Sequence, residues 1–431
     1  MASTSLTRAI TGSNRQTWTV SMWVKRSGLS QPGVSGDRLF SGYASSSFWS
    51  DIYFGSQDTL EYANISSGSL TEGYINTNRK FRDTNAWYHI VIRYDTTQAT
   101  ASDRIRIYVN GEQETSFSSS TYPSQNYNSA QINSATFYIG QDPNDDFNGL
   151  MSHIHFCDGQ SYAPTAFGQT DANGVWTIKT SPSVTYGTNG FFILKDGNSV
   201  TDQSGNGNNF TVASGTLTNT EDNPSNVFAT FNPLAKGVDV GLQQGNTRSA
   251  NNRTTDSGNV SADVVSTLAA SSGKYYAEFK LTNTDNYAAV GVVNSNFYPF
   301  ATARGYGYSD GVAYRDLDGN KYVDGTDSSY GADYGAGDIV GIALNLDDNQ
   351  ITFYKNGVSQ GAISKTFSGS YYFFTSRIIA GSNTVWEANF GNGYFGTTAV
   401  ASAGTNASGI GIFEYDVPTG YTALSTKGLN L

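Results

Sequence analysis

Two short runs, far apart in the chain, share one order of apolar and polar positions: Ile105 to Gly111 and Ile351 to Gly357. Ile, Tyr, Asn and Gly stand at matching places in both. Each run alternates, is rich in Ile and aromatics, and stops at Asn-Gly. That pattern predicts a buried strand and a type I′ hairpin, because both turn residues must adopt positive φ. A hairpin buries little alone, so each copy requires a sheet around it. Period-two patterning supplies those sheets. Thr17 to Lys25 puts Trp18, Val20, Met22 and Val24 on one face and Trp23 on the other. Arg38 to Gly42, Trp49 to Gly55, Thr59 to Ile65, Ala135 to Gly140 and Gly149 to Asp158 read as further strands. Trp87 to Tyr94 is so continuously apolar that both of its faces are expected to be covered.

The second copy sits among Lys274 to Leu281, Ala288 to Asn294, Asp338 to Asn345, Tyr371 to Ile379 and Val385 to Phe390. Gly341 and Ala343 leave one face of their strand small, so another layer is expected close to it. Gly411 to Pro418 reads as a last strand, with Leu429 and Leu431 docking the tail. Between the two sets lies a stretch with Trp176, Phe191, Phe192, Ile193 and Leu194, too aromatic for a free linker, and a run of pure turn chemistry from Thr201 to Asn209. The expected architecture is all-β: two tandem antiparallel β-sandwiches, residues 1–164 and 233–431, with a docked connector, 165–232.

Composition narrows the function classes. Charged residues make up 14% and aromatics 13%, with 47 Gly, in keeping with strands and turns. A net charge of −11 argues against nucleic acid and against anionic membrane surfaces as partners. No stretch is apolar and long enough to span a bilayer, and Met1 to Arg8 holds no signal core. Cys157 is the single cysteine, so no intrachain disulfide forms. A surface built for adhesion, made without a signal peptide or disulfides, fits a virus particle assembled in a bacterial cytoplasm, with ordinary cytosolic residence as the alternative.

The residues also carry a resemblance. Trp18 to Lys25, Trp87 to Val91, Ile107 to Gly111 and Phe147 to Met151 resemble the concanavalin A-like, laminin G-type lectin fold. Lys274 to Phe279, Ala289 to Val292, Gly337 to Leu344, Phe353 to Gly357 and Asn389 to Gly391 resemble a SPRY domain, itself a concanavalin-like jelly roll. Phe81 to Asp83, Asp95 to Arg104, Tyr186 to Phe191, Ser204 to Phe210 and Asp222 to Asn226 look like a group of lectin-like bacteriophage virion proteins. The resemblance implies a non-enzymatic structural protein of the virion surface: a capsid decoration, short fibre or tail-tip module. Its partners would be other virion proteins, further copies of itself and host-surface glycans. A polysaccharide depolymerase and a purely structural subunit are the alternatives.

Candidate chemistry is sparse. Concanavalin-like glucanases present alternating acids on one strand, two of them about 5–5.5 Å apart for a retaining mechanism. Glu414-Tyr415-Asp416 is the nearest match and runs into Pro418, and Glu112-Gln113-Glu114 reads as a solvated strand edge. His153, His155 and Cys157 fall on one face by strand period, as zinc ligands would, with His89 on another strand and no fourth ligand in view. Asp316, Asp318, Asn320, Asp324 and Asp327 match oxygen positions of a calcium loop, but Lys321 replaces its glycine, so an ordinary turn is expected. No catalytic residue, metal or cofactor is assigned. Tyr-, Asn- and Asp-rich loops, Tyr298 to Tyr314 and Asp324 to Tyr334, are the candidate sugar contacts, with packing between strands, a subunit contact or protein binding equally compatible.

Overall fold

A computed structural model describes residues 4–29, 36–70, 72–130, 132, 135–195, 199–237, 239–251, 263–284, 288–297, 309–377 and 384–431, excluding the side chains of residues 251, 297 and 377. It divides into two compact units, Met1–Asn219 and Thr220–Leu431. Each is a β-sandwich of two packed sheets. Of the stretch expected as connector, residues through Asn219 fall in unit 1 and those from Thr220 in unit 2.

In unit 1 an eight-stranded sheet runs Phe117–Thr121, Tyr74–Lys80, Thr59–Ser66, Phe48–Phe54, Asp37–Ser45, Thr136–Ile139, Ser5–Arg8, Thr211–Ser214. The six-stranded sheet runs Phe191–Ile193, Gly149–Asp158, Thr17–Arg26, Trp87–Asp95, Ile105–Val109, Glu112–Gln113. Alternation delivers Trp18, Val20, Met22 and Val24 from one sheet against Ile52, Phe54, Leu60 and Tyr62 from the other. Trp18 stacks on Tyr94 with ring centroids 4.7 Å apart. The strand Trp87–Asp95 is covered on both faces, Ile90 and Ile92 in this core and Val91 in a second cluster with Tyr108, Cys157 and Phe167.

Unit 2 repeats the plan. Its seven-stranded sheet runs Phe231–Lys236, Val264–Ala270, Tyr371–Arg377, Ala288–Asn294, Gly311–Arg315, Asn320–Val323, Thr326–Ser329. The facing sheet runs Val240–Gln243, Arg248–Asn251, Val385–Asn389, Lys274–Asn283, Ile339–Asn345, Gln350–Lys355, Val358–Ser364. Residue 378 onward of the expected strand Tyr371 to Ile379 lies outside the described residues.

The twin hairpins are alike down to single bonds. Asn110 and Gly111 have φ of 50° and 84°, and Asn356 and Gly357 have 48° and 80°, the type I′ geometry the dipeptide predicts. The Asn side chain does a second job. Asn110 Oδ1 accepts from the backbone N–H of His89 at 2.8 Å, and Asn356 Oδ1 accepts from that of Ile339 at 2.8 Å. The Gly does one as well. A Cβ on Gly111 would meet the Trp176 ring at 2.6 Å, and one on Gly357 the Tyr415 ring at 2.7 Å. In both units an aromatic from a later segment therefore lies on the turn. Gly111→Ala and Gly357→Ala should each destabilise their own unit by about 2 kcal/mol, through positive φ plus the displaced ring. Calorimetry of the two variants checks this, with Gly205→Ala, which also has positive φ but nothing near its Cβ, as the strain-only control.

Those later segments form a third layer. In unit 1, residues 162–186 cover the outer face of the six-stranded sheet, with Phe167, Tyr162, Val184 and Tyr186 packed on Val91, Tyr108 and Cys157. In unit 2, Phe413, Val417 and Ala423 pack on Tyr276 and Ala343. Gly341 is small because a Cβ there would sit 2.4 Å from the Tyr276 hydroxyl. The expected last strand, Gly411 to Pro418, does not form. Apart from one bridge between Ile412 and Asn392, this run is irregular, and the sheet is instead extended by Thr422–Ala423, parallel to Lys274–Asn283. A side chain replaces the ladder. Glu278, fully buried, accepts from the backbone N–H of Glu414 at 2.8 Å and of Tyr415 at 2.9 Å. Leu429 packs against the core, whereas Leu431 is 82% exposed.

Candidate functional site

With one outer face of each unit covered by its own chain, the outer face of the eight-stranded sheet in unit 1 stands apart. Strand register places its side chains in rows. One row runs Tyr138, Ser41, Asp51, Ala63, Tyr74 across five strands. The next carries Tyr43, Trp49 and Ile65. A third carries Tyr53, Glu61 and Asn76. The opposite face of the same strands, with Phe40, Ile52 and Tyr62, is the sandwich core. The middle of the face is small and closed: Ser41 and Asp51 are fully buried and Ala63 is 1% exposed. Around it Tyr43, Trp49, Tyr74 and Tyr138 are only half-buried.

The polar groups among these rings are mostly committed. Arg38 Nε lies 3.2 Å from Asp51 and 3.1 Å from Asp142, and its Nη2 lies 3.2 Å from Asp145. Its guanidinium covers the Tyr53 ring at 4.2 Å and nears Trp49 at 6.0 Å. Burial lifts the Asp51 carboxyl to about 7 against the pull of Arg38. Glu61 accepts from the hydroxyls of Tyr53 and Tyr74, both at 2.8 Å. Ser41 Oγ and Asn76 Oδ1 are buried without a hydrogen-bond partner.

The residues singled out from sequence fare differently. A bulge between Ser152 and His155 gives His153 a φ of 47° and breaks the simple alternation, and both imidazoles lie against the Phe192 ring. His153 bonds Ser152 and His155 bonds the Tyr186 hydroxyl, while the buried Cys157 thiol is pushed up to about 12 by desolvation. His89 receives the Trp176 indole N–H on Nδ1 at 2.9 Å, so its Nε2–H faces Ser21 Oγ, also at 2.9 Å. Burial drives His89 down to about 3 and His155 well below its ordinary value. These are neutral histidines inside the third layer. Among the described residues no group of three or more His, Cys, Asp or Glu is arranged to hold a metal ion.

The calcium-like loop is a turn. Asp316 accepts from the Thr284 hydroxyl and the Ala288 N–H, Asp318 pairs with Arg315, and Asp324 pairs with Lys365. Asp327 lies opposite Tyr322 on the hairpin Asn320–Val323/Thr326–Ser329. The oxygens of Asp316, Asp318 and Asp324 serve different partners instead of one centre. Glu414 and Asp416 accept from Ala401 and Thr405 backbone N–H groups, and Glu114 pairs with Arg79 beside exposed Glu112 and Gln113. Of the expected sugar loops, Tyr298 to Tyr308 lie outside the described residues. In the other, Tyr330 and Tyr334 pack on Tyr314 instead of facing out. The rows of unit 1 were missed. Their signal was the alternation Trp49, Asp51, Tyr53 against Ser50, Ile52, Phe54, a charge in the middle of an otherwise buried strand.

Comparison with known proteins places these features. Residues 3–164 match the concanavalin A-like lectin/glucanases superfamily, and residues 274–393 match the SPRY domain. Ran-binding protein 9 of Xenopus laevis is 30% identical over 174 residues, covering 38% of this chain and 30% of that protein. Ran-binding protein 10 of Danio rerio is 30% identical over 131 residues, covering 29% of this chain and 20% of that protein. The chain thus spans less than a third of the length of these relatives. Among solved structures, the SPRY domain of human HERC1 aligns with a TM-score of 0.32 at 18% identity, over 37% of this chain and 96% of that one. The TRIM65 PSpry domain aligns with a TM-score of 0.31 at 14% identity, over 37% of this chain and 91% of that one. The chain carries a concanavalin A-like domain followed by a SPRY domain.

Proposed function

We propose that this protein is a non-enzymatic adhesion protein of a bacteriophage particle surface, contacting host glycans through the outer face of the eight-stranded sheet in unit 1. The observation that carries the glycan reading is the set of half-buried rings, Tyr43, Trp49, Tyr74 and Tyr138, standing around a closed polar centre on the outer face of this sheet. Sugars stack on flat aromatic surfaces and need a few placed polar groups beside them. The non-enzymatic reading rests on the two acids of this face. Asp51 is fully buried under Arg38 and Glu61 is held by two phenols, so neither is free to act as acid, base or nucleophile. The virion setting rests on the resemblance in the sequence.

Soluble protein should block adsorption of the particle to its host and bind immobilised host polysaccharide without releasing reducing ends. Trp49→Ala should weaken that binding roughly tenfold with unit 1 still folded, the loss expected for one stacking ring. Release of reducing ends would instead establish a depolymerase. Binding to a host protein with no glycan contact would replace the glycan reading. Labelling the protein on intact particles tests the setting, and its absence from them would remove the virion assignment.

A further inference from the structure

We infer that the glycan face of unit 1 selects neutral sugars and excludes acidic ones, a conclusion that rests on the glycan reading above. The carboxylates on and beside the face are Asp51, Glu61, Asp142 and Asp145, and the cation among them is Arg38. That guanidinium is already engaged by three of the four and is 8% exposed, so it offers no free fork to a sugar carboxylate, sulfate or phosphate. An acidic sugar brought here would meet a net negative surface and lose its own hydration with no cation in exchange. The whole chain adds to this with a net charge of −11.

The face offers rings instead of free ions. Asn76 Oδ1 and Ser41 Oγ are closed off from solvent and Glu61 is held by two phenols, so these acceptors are not open to a ligand. The C–H faces of neutral pyranoses suit the half-buried rings of Trp49 and Tyr43. The occupant is therefore an uncharged oligosaccharide, fixed by stacking on these rings.

The full-length protein should be tested on an array of neutral glucose, galactose, mannose and N-acetylglucosamine oligomers beside oligouronates and sialylated and sulfated oligosaccharides, at low and at high salt. Neutral ligands should bind, lose roughly tenfold on Trp49→Ala, and change little with salt, since no ion pair is screened. Asp145→Asn should leave neutral binding within a factor of about two and raise any residual binding of acidic oligomers, with the unit 1 unfolding transition as the folding control. Binding of an acidic oligomer that weakens with salt and with Trp49→Ala would overturn the inference and keep the glycan face. Binding that ignores Trp49→Ala, or no binding to any sugar, would overturn both.

Discussion

Replacing Glu278 by alanine is expected to free the C-terminal segment of unit 2 and to cost that unit about 4 kcal/mol. Its carboxylate accepts from the N–H groups of Glu414 and Tyr415, from Asn389 Nδ2 at 3.2 Å and from the Tyr276 hydroxyl at 3.3 Å. Alanine would strand these donors beneath Phe413 and Tyr276, where each buried group without an acceptor costs about 1–3 kcal/mol. Glu278→Gln keeps one acceptor oxygen and should lose about half as much. Denaturant unfolding of the whole protein measures the loss, and limited proteolysis between residues 404 and 421 reports the detached segment. An alanine variant with an unchanged second transition and an uncut segment would show that the apolar contacts suffice.

Acidification from pH 7 to 5 is expected to move the two units in opposite directions. In unit 1, His89 and His155 are depressed by burial below the ordinary value of 6.5. Their stabilisation is present above 6.5 and fades as pH falls, because the unfolded chain binds two protons that the folded chain refuses. Asp51 works against this, since its carboxyl, raised to about 7, takes up a proton in the folded state. Asp37 and Glu114, also raised by burial, add to that opposition, so unit 1 should lose at most about 2 kcal/mol by pH 5. Unit 2 contains no histidine. Burial raises Glu278 to about 7, so its charged form opposes folding at pH 7 and above, and that penalty disappears as pH falls. Unit 2 should gain about 2–3 kcal/mol over the same interval. Calorimetry should show two transitions approaching or parting as pH is stepped, with the Glu278 variants assigning the second. Parallel shifts of both would contradict the expectation.

The strands of both cores were legible because burial on one face leaves a period of two. Thr17–Arg26 and Lys274–Asn283 each read as expected. The Asn-Gly turns were legible because positive φ restricts the residues allowed. The outer rows were not, since Ser41, Asp51 and Ala63 become neighbours only through register, and the register itself shifts at bulges such as that between Arg38 and Phe40. A bulge also undid the alternation of His153 and His155. The last misreading, Gly411 to Pro418, had a similar cause. Its backbone partner is a carboxylate more than 130 residues earlier, and no local pattern announces such a bond.

The third layer changes what counts as a transferable piece of this protein. The superfamily match ends at residue 164, before Phe167 and Trp176, and the SPRY match ends at residue 393, before Phe413 and Tyr415. A fragment cut at either border would bare an apolar sheet face that the native chain never shows to water. It should clump, and in the first case its Cys157 thiol, buried in the intact chain, should react with reagents. Recombination among such genes would have to move each sandwich with its trailing cover as a single cassette. Crossovers at the borders of the recognisable domains would yield insoluble chains.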